Sequence, residues 1–140
     1  MPLHWILALL LGIPPLPITF RISAPAWTSP ADTLYLAGDQ PAFGNGDPSG
    51  VRLLPLGGGI HEATVRLAPG TAFEFAVTRG SWESMEADER GEPVPYRKYL
   101  VSVVDTVRVS VAGWLDAPRP ESPDTLGGER HRRCGGGGTR

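Results

Sequence analysis

Apolar and polar residues alternate one by one through the middle of this chain. Ile18, Phe20 and Ile22 are interleaved with Thr19, Arg21 and Ser23. Ala63, Val65 and Leu67 are interleaved with Thr64 and Arg66. Phe73, Phe75 and Val77 are interleaved with Glu74, Ala76 and Thr78, and Val107, Val109 and Val111 with Arg108 and Ser110. Successive side chains of an extended chain point to opposite faces, so each set predicts a strand with one buried face. Further strands are expected at Thr33–Ala37, Val51–Leu56 and Tyr96–Val101. In the first of these the pattern leaves two choices open: Tyr35 faces the core, or Leu34 and Leu36 do.

Turn signals separate the runs. Gly38-Asp39 ends one strand, Gln40 to Gly50 is a loop rich in Gly, Pro, Asn and Asp, and Pro69-Gly70 opens the Phe73 strand. Gly57-Gly58-Gly59 reads as a hairpin turn, because glycine accepts the positive φ that tight turns require. Trp82 to Glu92 is acidic and lacks alternation, which predicts an exposed loop or short hairpin; Trp114 is expected to plug one end of the core. No stretch of ten residues carries a helical apolar stripe. The expectation is an all-β fold, an immunoglobulin-like antiparallel β-sandwich of about seven or eight strands over residues 17–116.

Composition changes the picture at the two ends. The chain has 140 residues, with 15 prolines and 18 glycines crowded at the start, in the 38–59 region and after Ala117. Residues 117–140 are read as a disordered tail, since they hold too little apolar area to offset ordering entropy. The apolar run from Trp5 to Ile13 falls short of the ~20 residues a spanning helix needs and suits the centre of an export signal. Residues 1–16 are therefore read as a signal peptide and the product as secreted or periplasmic, although Lys and Arg are missing ahead of the run and no small-residue cleavage site follows it.

A formal net charge of −2 and the lack of a basic, aromatic-laced patch exclude a nucleic-acid surface, and no membrane partner is expected. The lone cysteine, Cys134, cannot form an intrachain disulfide, and with His131 it supplies too few ligands for a closed metal site. His4, His61 and His131 are scattered, and no nucleophile elbow or triad spacing occurs. Glu83, Glu86, Asp88, Glu89 and Glu92 are read as a solvated surface rather than a catalytic or calcium-binding group. No cofactor, metal or catalytic residue is expected; the chain reads as a non-catalytic monomer.

Several short motifs, in order, resemble starch-binding domains. Thr33-Leu34-Tyr35-Leu36-Ala37-Gly38-Asp39, with Phe43 in the loop behind it, resembles a strand and loop of carbohydrate-binding module family 20 and the related family 48. Leu67-Ala68-Pro69-Gly70-Thr71, Ala72-Phe73-Glu74-Phe75 and Tyr96-Arg97-Lys98-Tyr99-Leu100-Val101 are similar to later segments of the same domains. Thr78-Arg79-Gly80-Ser81-Trp82-Glu83 is similar to a variant that precedes some secreted esterases. The resemblance implies binding of starch, another α-glucan or a related polysaccharide by ring stacking, beside a catalytic hydrolase domain. It implies a platform at Phe43, where the family has a tryptophan, with Trp82 and Tyr96 as substitutes for a second one. The family's lysine is replaced by Ala76. Phe43 has a second reading, as a loop aromatic folded on the sheet edge, and Trp82 one as a cap over the sheet end. The other functional reading is a structural accessory domain that packs against a hydrolase and binds no sugar, from a truncated multidomain glycoside hydrolase or esterase gene.

Overall fold

Two four-stranded sheets lie face to face in the computed structural model, which describes residues 13–120. The strands are β1 (Leu16–Ser23), β2 (Tyr35–Gly38), β3 (Val51–Arg52), β4 (Leu54–Gly57), β5 (Ile60–Leu67) and β6 (Ala72–Thr78). They continue with β7 (Glu86–Ala87), β8 (Arg97–Leu100), β9 (Asp105–Ser110) and β10 (Gly113–Trp114). One sheet runs β4-β5-β1-β9 and the other β3-β2-β6-β8, while β7 and β10 form a separate two-stranded ribbon. The all-β sandwich expected from the alternation is the fold observed. One pairing departs from the antiparallel rule: β9 lies parallel to β1, with Phe20 beside Val107 and Ile22 beside Val109. A parallel neighbour requires a crossover, and the chain makes it by passing from β8 in one sheet to β9 in the other.

The inward faces are the alternating sets. Ile18, Phe20, Ile22, Val65, Leu67 and Val109 meet Leu36, Phe73, Phe75 and Val77 in one buried cluster. Leu34 and Leu36 are both buried and Tyr35 is half-buried, which decides the choice left open by the pattern. Phe20 meets Phe75 edge-on with centroids 5.3 Å apart, and also meets Phe43 edge-on at 5.7 Å. Such pairs add about 0.5–1.5 kcal/mol each beyond their buried area.

The Val51–Leu56 run is two strands rather than one. Val51 and Arg52 pair with β2, whereas Leu54 to Gly57 pair with β5 in the other sheet. Leu53 sits at the switch, buried, with its N–H donated to the Leu34 carbonyl at 2.9 Å. Leu54 and Leu56 are exposed on β4, an edge strand where Pro55 removes a ladder donor at little cost. The Gly57–Gly59 hairpin has φ of 94°, 64° and 79°, all in the region that favours glycine.

Trp114 closes one end of the core as expected, buried, with its indole N–H donated to Thr28 Oγ1 at 2.9 Å. Arg79 lies 5.2 Å over its ring and pairs with Asp32 at 2.8 Å and with Asp116. The signal-peptide reading concerns mostly residues 1–12, outside the described residues, and Leu16 already pairs with Leu67 in the sheet. The tail reading falls mostly on 121–140, also outside them. Ala117 is held in place, since its carbonyl accepts the Trp27 indole N–H at 3.0 Å.

The turn between β8 and β9 carries a titratable contact. The Tyr99 hydroxyl donates to Asp105 Oδ2 at 2.6 Å. Burial, then this hydrogen bond and the Asp105 charge, push the phenol up to about 12 from its ordinary 10.0. A raised folded value means the contact stabilises the protein fully below about pH 10 and is lost as pH rises towards 12. A difference absorbance titration against Tyr99→Phe should show the late phenol, and Asp105→Asn should move its midpoint back towards 10.0; an unshifted phenol in the parent protein would contradict the contact.

Candidate functional site

β6 ends at Thr78, and the chain then turns sharply. Gly80 has φ of 107° and donates its N–H to Thr78 Oγ1 at 3.1 Å. Thr78 Oγ1 donates to the Pro48 carbonyl at 2.5 Å and Ser49 Oγ to the Gly80 carbonyl at 3.2 Å, which ties the turn to the 44–50 loop. A single 3-10 turn, Trp82–Ser84, follows. Ser81 and Ser84 bind each other through their hydroxyls at 2.9 Å, and Met85 donates its N–H to the Trp82 carbonyl at 3.3 Å. The backbone under Trp82 is therefore pinned on both sides.

A second anchor places Tyr96. Glu86 on β7 is 1% exposed and accepts two hydrogen bonds from Arg97, Nε at 3.0 Å and Nη2 at 2.8 Å. Arg97 opens β8, so this ion pair fixes the residue next to Tyr96. The rings of Trp82 and Tyr96, well separated in sequence, come to 6.2 Å between centroids at 48°. They form an open V rather than a coplanar pair, and Tyr96 is 52% exposed.

The V borders a cavity of about 150 Å³ whose other walls include Gly38, Asp39, Gly46 and Glu74. A side chain added at Gly46, where φ is 90°, would meet nothing within 4 Å, so this rim is open. A shallower depression of about 510 Å³ continues from it past Asp39, Glu74, Lys98 and Tyr99. Asp39 Oδ1 accepts the Glu74 N–H at 3.2 Å, and Lys98 stands 3.7 Å from Glu74. Aromatic faces with hydrogen-bonding groups beside them suit a sugar, whose C–H faces stack on rings while its hydroxyls are held at the edge. Among the described residues no group of three or more His, Cys, Asp or Glu could hold a metal ion.

Two expected positions need correction. Phe43 is no platform: it is 0% exposed, stacked on Phe73 at 4.8 Å and 28°. The 3-10 turn Pro41–Phe43 and Gly44 at φ 85° roll the ring under the end of β2. It is the loop aromatic folded inward, and Gly46 reaches the cleft in its place. Glu86 is not part of a solvated acidic surface, although Glu83, Glu89 and Glu92 are exposed. The hint in the sequence was its setting: Met85 and Ala87 flank Glu86, and both are buried.

The class defined by this fold and cleft is a β-sandwich with a cleft bordered by two aromatic rings. Comparison with known proteins places it more closely: the fold is that of a family 20 carbohydrate-binding module. The module of this family from the maltotetraose-forming amylase of Pseudomonas saccharophila matches with a TM-score of 0.53 and 16% identity, over 68% of this chain and 99% of that one. The family 15 glucoamylase of Hypocrea jecorina matches with a TM-score of 0.55 and 23% identity, over 71% of this chain and 17% of the enzyme. In sequence, the chain is 33% identical over 109 residues to an amylopullulanase of Thermoanaerobacter thermohydrosulfuricus, covering 74% of this chain and 7% of the relative. It is 33% identical over 101 residues to an alpha-amylase of Niallia circulans, covering 71% of this chain and 8% of that protein. The chain thus spans less than a tenth of these relatives. No family model matches it.

Proposed function

We propose that the domain is a non-catalytic carbohydrate-binding module for starch or another α-glucan, acting where an exported enzyme meets its polysaccharide. The observation that carries this is the pairing of Trp82 with Tyr96 over an open cleft, in a chain similar to segments of an amylopullulanase and an alpha-amylase. The module would hold the glucan near a catalytic partner and so raise the effective substrate concentration. Affinity electrophoresis in soluble starch tests it. The wild type is expected to be retarded, and Trp82→Ala to lose retardation by roughly tenfold in affinity, for the ring contact and the area it buries. Unretarded migration of the wild type would end the α-glucan reading.

A second reading has its own support. Leu100, Val103 and Val104 are 60%, 64% and 63% exposed around the β8–β9 turn, an apolar cluster that suits docking against an adjoining hydrolase domain. The cluster leaves the ring pair itself free, although Leu100 also lines the outer depression, so a docked domain would border that end of the cleft.

A further inference from the structure

The charges on the cleft point to a narrower ligand class. Asp39 and Glu74 line both the small cavity and the depression beside it. Among the described residues they are the only charged ones on the small cavity, and both are acceptors when ionised. The position where the resembling family carries a lysine is Ala76, which is 2% exposed and offers no donor. Lys98 lines only the outer depression, is 81% exposed in its side chain, and stands 3.7 Å from Glu74, beyond a good hydrogen bond. Tyr96 and Trp82 can each donate one hydrogen bond there, but the two carboxylates only accept, so the sugar must bring the donors that meet them. A hydroxyl brings one; an ammonium brings three and a positive charge. The faces of Trp82 and Tyr96, 6.2 Å apart, attract a cation as well through their ring quadrupoles.

We infer that the cleft prefers a glycan bearing primary ammonium groups over the neutral glycan of the same shape, with Asp39 and Glu74 as the specificity-determining residues. This rests on the carbohydrate-binding reading above and deepens it. Each exposed charge pair is worth up to about fivefold in affinity, so the two carboxylates together should give about three- to tenfold.

The test uses two probes on one scaffold: β-cyclodextrin, and its derivative in which every primary hydroxyl is replaced by an ammonium. Titration calorimetry on the protein at low salt should show the amino derivative bound about three- to tenfold more tightly. The advantage should shrink in high salt, where exposed charges are screened. It should vanish in the double variant Asp39→Asn, Glu74→Gln, which is close to isosteric at both positions; the readout is the ratio of the two affinities within that variant, whatever its overall affinity. Equal binding of the two probes would overturn the preference and leave the α-glucan reading intact. An ammonium advantage that survives in the double variant would also overturn it, as diffuse attraction to an acidic protein. Failure of both probes to bind would remove the carbohydrate reading itself.

Discussion

Phe43→Ala is expected to cost about 3–5 kcal/mol of folding free energy, the usual range for emptying a buried phenylalanine site. For a sandwich of this size that lowers the thermal midpoint by about 15–30 °C. The reason is the position of the ring. It is fully buried, stacked on Phe73 at 4.8 Å and met edge-on by Phe20 at 5.7 Å. Deleting it removes transfer energy and two aromatic contacts, and leaves a void that the sheets cannot close without moving β2. Gly38 adds to this, because a Cβ there would lie 3.1 Å from the Phe43 Cβ, so the two segments already touch. A sugar platform would behave in the opposite way, with an unchanged midpoint and lost starch retardation. Thermal melts followed by circular dichroism decide between them; a loss below about 1 kcal/mol would contradict the buried position.

Glu86→Ala should cost about 2–3 kcal/mol and weaken starch retardation as well. Breaking a fully buried ion pair typically costs 3–5 kcal/mol; the lower figure applies because Arg97 is 35% exposed in its side chain and water can partly solvate it. The loss has two parts: a guanidinium left without its carboxylate, and a slackened β7–β8 connection under Tyr96. Replacing both partners with methionine should restore most of the stability, since a packed apolar pair carries no unpaired charge. A double-mutant cycle with Arg97→Ala measures the coupling. It should exceed about 1.5 kcal/mol; costs that add within about 0.5 kcal/mol would show that the two residues act independently.

The strands with strict alternation were readable because burial on one face of a sheet imposes a period of two on the residues themselves. β1, β5 and β9 follow that rule, and their inward sets belong to the observed core; on β6 Phe73, Phe75 and Val77 do so too, but Ala76 and Thr78 on its other face are also buried, under the loops that cross it. The Val51–Leu56 run was not readable, because Leu53 and Leu54 break the period at the point where the chain changes sheets. The ribbon of β7 and β10 is only two residues wide on each side, too short for a pattern to show. The site was partly readable. Trp82 and Tyr96 could be named as aromatic candidates, but their meeting depends on the Ser81–Ser84 turn and the Glu86–Arg97 pair. Phe43 was misplaced because a phenylalanine in a polar loop looks the same whether its ring turns outward or under the sheet.

The amino-acid sequence alone determined the all-β class, the hairpin glycines, the inward faces of the long strands and the burial of Trp114. These follow from local backbone preference and from the two-residue period, which act within a few positions of each residue. Which aromatic rings share a face, which glutamate is buried, and that β9 joins β1 in parallel were decided by the tertiary structure. Each depends on residues distant in sequence brought together by the packing of two sheets, and no short-range rule encodes that meeting.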